Sequence, residues 1–325
     1  MRFAFTDDQL AFRDAVRDLL ANECPPAAVR AAWDNPDGRC VGAWHALAEM
    51  GVLGASAPEA NGGLGLTPLD LILIVEETGY AALPEPFVEH SLVAIPVLPT
   101  DDSRVAQAAS GDITITAALG GDPYAPYAES ADAILVDEDD TLLLVAHADA
   151  VLAPTTSVDR ARRLAWVEWE PAAPIGDEAA RDAAFNRGAL GAAAQLTGLA
   201  RRMLDLTVEY AKERQQFGVP IGSFQAVKHH LADARIAIEF ARPLVYRAAW
   251  SVTHDDPDAS SHVSMAKALA SDAATLTARQ ALQCHGAIGY SFEYDLHLFM
   301  KRAWALAATW GDAAWHRARV GRAIL

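Results

Sequence analysis

Cysteine, basic residues and long apolar runs are all scarce in this 325-residue sequence. Its three cysteines, Cys24, Cys40 and Cys284, have no C-x-x-C spacing and one must stay unpaired. They support neither a disulfide framework nor a zinc site, so we predict no metal and a reducing, cytoplasmic location. Lys and Arg number 26 against 43 Asp and Glu, a net charge of −17 that argues against nucleic-acid and membrane-surface partners. Without a signal segment or about eighteen uninterrupted apolar residues, we expect neither export nor a membrane span.

Hydrophobic residues nevertheless make up 52% of the chain, enough for a sizeable core. Residues 1–111 show helical periodicity between Pro and Gly turns, starting with a capping-box pattern at Thr6 and Gln9. Residues 112–172 change to alternation with a period of two, which predicts a short antiparallel β module. Residues 173–325 return to long alanine-rich helical segments, as in a bundle. The predicted fold is therefore mainly α: an N-terminal helical domain, a reduced β domain and a C-terminal helical bundle.

The first segment with candidate binding residues runs from Glu209 to Gln225. A predicted helix ends near Arg214, a Gly-Pro turn follows, and a guanidinium at such a point suits phosphate or pyrophosphate oxygens. Residues 181–235 contain eight Lys or Arg and five acids, so this stretch carries +3 within an acidic chain. Composition also fits a solvated helix face with i,i+4 ion pairs. Both interpretations stay open at this point.

The second segment runs from Gln283 to Tyr294. Gly286 and Gly289 permit close approach of the backbone to a ligand, and Glu293 follows among aromatic residues. Burial by such rings raises the pKa of a carboxyl, which makes Glu293 a candidate base for removing a carbon-bound proton. The alternative is a helix-breaking turn that carries a surface glutamate.

Four segments, in this order along nearly the whole chain, together resemble the acyl-CoA dehydrogenases, flavoproteins that desaturate acyl-CoA thioesters. FTDDQLAFRDAVRDLL is similar to the first helix of the family. WHALAEMGVLGASAPEANGGLGLTPLDLILIVEETGYAALPEPF follows its N-terminal pattern of tryptophan helix, Pro-Glu, Gly-Gly-x-Gly and Glu-Glu-x-Gly. ERQQFGVPIGSFQAVKHHLAD matches an Arg-x-x-Phe-Gly-x-x-Ile-x-x-x-Gln stretch, and QALQCHGAIGYSFEYDLHLFMKRA matches a glycine turn, a base and a following helix.

This resemblance implies a mechanism, a cofactor and partners. A glutamate takes the α-proton of the thioester while a hydride leaves the β-carbon for flavin, and Glu293 falls at the position of the base. The implied contacts to FAD, held mainly by the adjacent subunit, are Arg214, Phe217, Gln225, Gln283, Gly286 and Gly289. The implied partners are an acyl-CoA substrate, a homologous subunit and an electron-transfer flavoprotein as acceptor.

The departures from the family pattern concern the chain's own flavin. Residues 112–171 are short and lack the Thr-Glu-Pro-type stretch and the Trp-x-x-Asn-type strand that cradle the isoalloxazine. Residues 309–312, Thr-Trp-Gly-Asp, replace the usual Glu-Gly-Thr-like segment, and Ala287 replaces a glycine. We therefore expect a subunit of a heteromeric enzyme that acts on bulky, for example sterol side-chain, CoA esters. The open alternatives are a homo-oligomer whose reduced domain still holds FAD, and a non-catalytic scaffold or regulatory subunit.

Overall fold

The structure is a computed structural model that describes residues 4–325. Its N-terminal part is helical, as predicted. The helices are α1 (Asp7–Glu23), α2 (Pro26–Asp34), α3 (Val41–Glu49), α4 (Pro68–Tyr80) and α5 (Ser103–Ser110), with a π-helical turn at Val88–Ala94. The predicted capping box is confirmed, because the Gln9 backbone N–H donates to Thr6 Oγ1 at 3.2 Å and the Thr6 backbone N–H donates to Gln9 Oε1 at 2.8 Å.

The β module consists of two small sheets. The first contains β1 (Ile115–Ala118), β3 (Ala133–Glu138), β4 (Thr141–Ala146) and β7 (Pro174–Gly176), and the second contains β2 (Tyr124–Pro126), β5 (Ala150–Thr155) and β6 (Leu164–Trp169). The paired strands run antiparallel except for β1 and β3, which are parallel. The exception arises because the chain leaves the first sheet after β1, forms β2 in the second sheet, and returns as β3.

Long helices form the C-terminal part. They are α6 (Glu178–Glu213), α7 (Gln225–Thr253), α8 (Ala259–His285), α9 (Leu296–Ala308) and α10 (Ala313–Ile324), and a hairpin of β8 (Gln215–Gln216) and β9 (Val219–Pro220) joins α6 to α7. One continuous apolar core runs from the N-terminal helices into this bundle, and a smaller one lies between the two sheets.

A buried charge network ties the N-terminal helices to the bundle. Glu76 on α4 accepts hydrogen bonds from Arg201 on α6 at 2.7 Å and from the Tyr246 hydroxyl on α7 at 2.7 Å. Glu77 accepts from Arg17 on α1 at 2.8 Å. Buried carboxylates are tolerated only when they are paired, and these pairs connect four helices, α1, α4, α6 and α7. Within residues 4–325 no helix is both long and apolar enough to span a membrane.

Candidate active site

The predicted site residues meet at one end of the C-terminal bundle. Helices α6, α7 and α8 follow one another through short connections and pack on each other, so the end of α6, the start of α7 and the end of α8 lie together. Arg214 is the C-cap of α6, Gln225 is the first residue of α7, and Gln283 lies in the last turn of α8. We call this surface the bundle end; it comprises residues 214–225 and 283–294.

The hairpin after α6 projects from the bundle end. Phe217 and Gly218 form its turn with φ angles of +55° and +81°, and the Arg214 carbonyl accepts from the Ile221 N–H at 2.8 Å. The Phe217 side chain is 93% exposed, and its ring meets that of Phe224 edge-on at 6.2 Å. A ring that is almost fully exposed, on a bulky residue with positive φ, buries little apolar area within the chain. The hairpin therefore has the features of a contact surface.

Arg214 is exposed at the base of this hairpin, and its side chain has no ion pair among the described residues. Two ion pairs on the neighbouring helices involve other cations: Glu209 pairs with Lys212 at 2.6 Å on α6, and Glu239 pairs with Arg235 at 2.9 Å on α7. The expected helix-face pairs thus exist, but they leave out Arg214. A guanidinium with five free N–H donors is suited to an anionic ligand.

The glycine turn follows α8 directly. Gly286 has φ +67° and ψ −147°, a conformation that favours glycine, and a Cβ built there would meet no atom within 4 Å. Gly289 differs, because it is buried and a Cβ there would lie 2.8 Å from the His285 Cβ. Gly286 therefore leaves open space beside the backbone, while Gly289 allows the turn to pack closely. Gln283, three residues before Gly286 in the last turn of α8, is exposed.

An aromatic stack fixes this turn to α6. The rings of Tyr210 and His285 are parallel within 21° at 4.2 Å, and Tyr294 contacts both, at 5.8 and 4.9 Å. Burial lowers the pKa of His285, whose Nδ1 lies 2.8 Å from the Ala281 carbonyl. The stack therefore holds the segment before and after Glu293 against the same helix that carries Arg214.

Glu293 itself is exposed in this chain. Its backbone N–H donates to Ser291 Oγ at 3.2 Å, and its aromatic neighbour Phe292 packs toward Trp33 on α2, at 6.3 Å. The burial that the sequence predicted for Glu293 is therefore not found, because the neighbouring rings turn to other partners. Only a second chain or a ligand could shield its carboxylate.

A cationic cluster beside Glu293 was not predicted. Arg30 on α2 pairs with Asp295 and donates to the Phe292 carbonyl, and Lys301 Nζ lies 4.5 Å from the centre of the Phe292 ring. The Arg160 guanidinium lies 5.4 Å from the same ring. Burial lowers the pKa of Lys301. Sequence reasoning missed this cluster because its members come from three distant segments without a shared motif.

A small cavity of about 10 Å³ lies between the β module and the turn of residues 309–312, and it is lined by Ala117, Leu119, Tyr124, Glu89, Thr309 and Trp310. That volume holds about one water molecule, so a flavin ring does not fit in this cavity. A wider opening of about 430 Å³ lies between the first sheet and helices α6 and α10, and its lining includes Gly120, Asp137, Arg181, Phe185 and Arg319. The bundle end does fit part of FAD, since it offers a free guanidinium, exposed amides at Gln225 and Gln283, and open space at Gly286. Within residues 4–325 no group of His, Cys, Asp and Glu is arranged to hold a metal.

Comparisons with known proteins bear on both the sequence and the fold. Family models for the N-terminal and C-terminal domains of acyl-CoA dehydrogenases match residues 6–100 and 176–325. The acyl-CoA dehydrogenase IpdE2 of Mycobacterium tuberculosis is 34% identical over 304 residues, which cover 91% of each protein.

Two solved structures share the fold over almost the whole chain. A chain of the ChsE4-ChsE5 complex from Mycobacterium tuberculosis matches with a TM-score of 0.91 at 25% identity, over 99% of this chain and 98% of that one. A chain of the Tcur3481-Tcur3483 steroid ACAD matches equally well, with a TM-score of 0.91 at 25% identity over 98% of each chain. The chain therefore belongs to the acyl-CoA dehydrogenase family of FAD-dependent oxidoreductases.

Proposed function

We propose that this chain is one subunit of a heteromeric acyl-CoA dehydrogenase, and that its bundle end completes the FAD site of a homologous partner with a full-length middle domain. The observation that carries this proposal is the exposed guanidinium of Arg214, which has no ion pair among residues 4–325, beside a projecting Phe217. Two of the similar structures are themselves assemblies of two named components, which supports a two-subunit enzyme.

The bundle end would act on the anionic part of the cofactor. Arg214 would donate to the pyrophosphate, and Gln225 and Gln283 would donate from their side-chain amides. Gly286 would let the backbone approach, because no side chain fills the space beside it. Hydrogen bonds of this kind, between a charged donor and a charged acceptor, are the strong ones. Phe217 would cover the contact and exclude water from it.

Glu293 would take the α-proton of the acyl-CoA thioester. When bound, FAD supplies the acceptor for the hydride that leaves the β-carbon. The carboxylate must then be desolvated by the partner, since this chain leaves it exposed. The Tyr210–His285–Tyr294 stack and the Arg30–Asp295 pair hold the backbone on either side of Glu293, so the carboxylate would meet the substrate in a defined position.

The acyl group is proposed to be bulky, for example a sterol side-chain CoA ester. The short β module leaves room at the composite site, and one similar structure is described as a steroid enzyme. We also propose an electron-transfer flavoprotein as the electron acceptor, and this part of the proposal is supported by family resemblance alone.

A second candidate is a non-catalytic subunit that completes the partner's FAD site while the partner supplies the base. The observation that favours it is the exposure of Glu293, because a catalytic carboxylate usually has a shielded environment. The two candidates share the role of Arg214 and differ only in the role of Glu293.

Replacing Arg214 tests the shared part. The chain is co-expressed with a full-length homologous subunit, and FAD per complex is measured from flavin absorbance after gel filtration and dilution. Arg214→Gln is expected to raise the Kd for FAD about 10- to 100-fold, because a charge-assisted hydrogen bond contributes about 1.5–3 kcal/mol. Arg235→Gln is the matched control, since Arg235 is exposed in the same basic stretch but already pairs with Glu239. Equal FAD retention by both variants would overturn the proposal.

A further inference from the structure

Cys24 and Cys40 lie at the two ends of the segment that contains α2. Cys24 is the C-cap of α1 and Cys40 is the N-cap of α3, so the chain leaves one cysteine, passes through α2 and returns to the other. Cys40 Sγ lies 3.4 Å from the carbonyl oxygen of Glu23, the residue directly before Cys24. The two thiols are also in hydrogen-bonding contact with each other. The fold therefore brings together two cysteines that share no sequence motif.

The surroundings of the two thiols differ. Cys24 is only 2% exposed, whereas Cys40 is partly exposed. The hydrogen bond from the Cys24 thiol is the largest cause that lowers the pKa of Cys40, to about 7, and the same contact raises the pKa of Cys24. Near neutral pH, Cys40 is thus an accessible and partly ionised nucleophile, and Cys24 is a buried thiol beside it.

The backbone and the charged groups around Cys40 have opposing effects on its thiol. The Cys40 N–H donates to Glu85 Oε1 at 2.7 Å, and the same side chain pairs with Arg39 at 2.6 Å. The negative charges of Glu85 and Glu23 raise the pKa of Cys40, while the backbone N–H of Ala43 in the first turn of α3 lowers it. A helix N-terminus stabilises an anion, so the N-cap position favours the thiolate.

The segment between the cysteines reaches the bundle end. Arg30 of α2 pairs with Asp295 and donates to the Phe292 carbonyl, and the Trp33 ring meets the Phe292 ring edge-on at 6.3 Å. These contacts hold the residues on either side of Glu293. A covalent bond between the two ends of the segment therefore restricts α2 and, through α2, the backbone around Glu293.

We propose that Cys24 and Cys40 form a reversible disulfide that responds to peroxide and fastens α2. The Cys40 thiolate attacks one oxygen of hydrogen peroxide, the O–O bond breaks, hydroxide leaves, and Cys40 becomes a sulfenic acid. The Cys24 sulfur then attacks the Cys40 sulfur. The S–S bond forms, the S–O bond breaks, and hydroxide leaves with the Cys24 proton as water.

The electrons balance in these two steps. The two thiols lose two electrons, and the peroxide is reduced to two water molecules. A small thiol reverses the bond by thiol–disulfide exchange and is itself oxidised. Disulfides in reducing compartments are usually of this transient, redox-sensing kind. The proposal concerns a site away from Arg214 and does not rest on the proposed function.

Oxidation of the full chain tests the bond. The chain is treated with hydrogen peroxide, the remaining thiols are alkylated, and the peptides are mapped by mass spectrometry. We expect a Cys24–Cys40 cross-link that dithiothreitol removes, and a Tm about 3–8 °C above that of the reduced chain, because the bond closes a loop of about 15 residues. Cys284→Ser is the matched control, since Cys284 is also partly exposed but burial raises its pKa. This variant should keep the cross-link and the Tm shift.

Single replacements separate the two thiols. In Cys24→Ala, Cys40 should stop at the sulfenic acid, which dimedone captures, and the Tm shift should vanish. The same variant removes the hydrogen bond to the Cys40 thiolate, so alkylation of Cys40 by iodoacetamide should require a higher pH. In Cys40→Ser, Cys24 should stay reduced because it is buried.

Three results would overturn the proposal. The first is that Cys24 and Cys40 stay reduced in peroxide, and the second is that Cys40 is oxidised without a cross-link, equally in the wild type and in Cys24→Ala. The third is a cross-link that leaves the Tm unchanged, because α2 is then not fastened. If Cys24→Ala does not fold, Cys24→Ser keeps the size of the side chain and serves for the capture of the sulfenic acid. FAD retention by the Arg214 variants is measured separately, so a failure of the proposed function is distinguishable from each of these results.

Discussion

Glu293 and Arg214 lie on the same bundle end, but their proposed roles differ. Arg214 is a binding group whose loss weakens FAD, whereas Glu293 is the group that would separate a catalytic subunit from a scaffold. Glu293→Gln is nearly isosteric and removes the base. We expect kcat to fall by roughly 10²–10⁴ with FAD content and assembly unchanged, the range that general bases contribute.

Steady-state kinetics with a bulky acyl-CoA and exchange of the substrate α-hydrogen in D₂O measure this effect. Turnover and α-hydrogen exchange should be lost together, because the same carboxylate removes the α-proton in both. Glu209→Gln is the control, since Glu209 is an exposed acid on the last turns of α6. Unchanged turnover and exchange in Glu293→Gln would assign the chemistry to the partner and select the non-catalytic candidate.

At the scale of single residues, the sequence predicted what short motifs encode. Arg214, Gln225, Gln283 and Gly286 meet at one surface as their spacing in the family pattern implied, although their contacts to FAD stay a prediction. The exposure of Glu293 was not predictable, because Phe292 beside it packs on Trp33, which is 259 positions earlier in the chain. Burial is a property of distant neighbours, and no local pattern carries it.

At the scale of elements, the crossing of α4 and α6 is set by two glycines. A Cβ on Gly198 would lie 1.9 Å from the Glu76 carbonyl oxygen, and one on Gly79 would lie 2.2 Å from the Gln195 carbonyl oxygen. The helices approach so closely that backbone meets backbone. This approach also brings the Glu76 and Arg201 side chains within hydrogen-bonding distance.

Gly198→Ala should therefore destabilise the protein by about 1–3 kcal/mol, since the overpacked helices must separate and the buried ion pairs lengthen. Gly321→Ala on α10 is the matched control, because a Cβ there meets no atom within 4 Å. It should be neutral or stabilise by up to about 1 kcal/mol through helix propensity. Thermal unfolding of both variants measures the difference, and equal Tm values would show that the close crossing is not needed.

Elements with strong local signals were predictable and those defined by distant pairing were not. The capping box at Thr6, and the apolar runs at 133–136 and 141–145 on either side of an acidic turn, identify a helix start and two strands from a few residues each. The parallel pairing of β1 with β3 depends on β2 joining a different sheet, which only the folded chain decides. The π-helical turn at Val88–Ala94 is likewise fully buried, so packing on α6 and β1 determines it.

At the scale of the whole molecule, local positive charge and exposed apolar side chains occur together around the bundle end. The chain carries −17 overall, while residues 181–235, which include residues 214–225 of the bundle end, carry +3. Exposed apolar side chains continue from the hairpin along α7, where Ile236 and Phe240 are 54% and 70% exposed. Their i,i+4 spacing places them on one face of the helix. An apolar face next to a basic surface is the arrangement expected for a subunit contact beside an anionic cofactor.

Phe240→Asp tests this contact at the level of assembly. A charge in the centre of an apolar interface should weaken association with the full-length partner about 30-fold or more, because central aromatic residues contribute 2 kcal/mol or more to such contacts. Co-purification and light scattering measure assembly, and circular dichroism verifies that the lone chain stays folded, as expected for an exposed position. Val151→Asp is the matched control, since Val151 is equally exposed on the β module, away from the bundle end. If Phe240→Asp assembles as tightly as Val151→Asp, the α7 face is solvent-facing and the partner must be held by other surfaces.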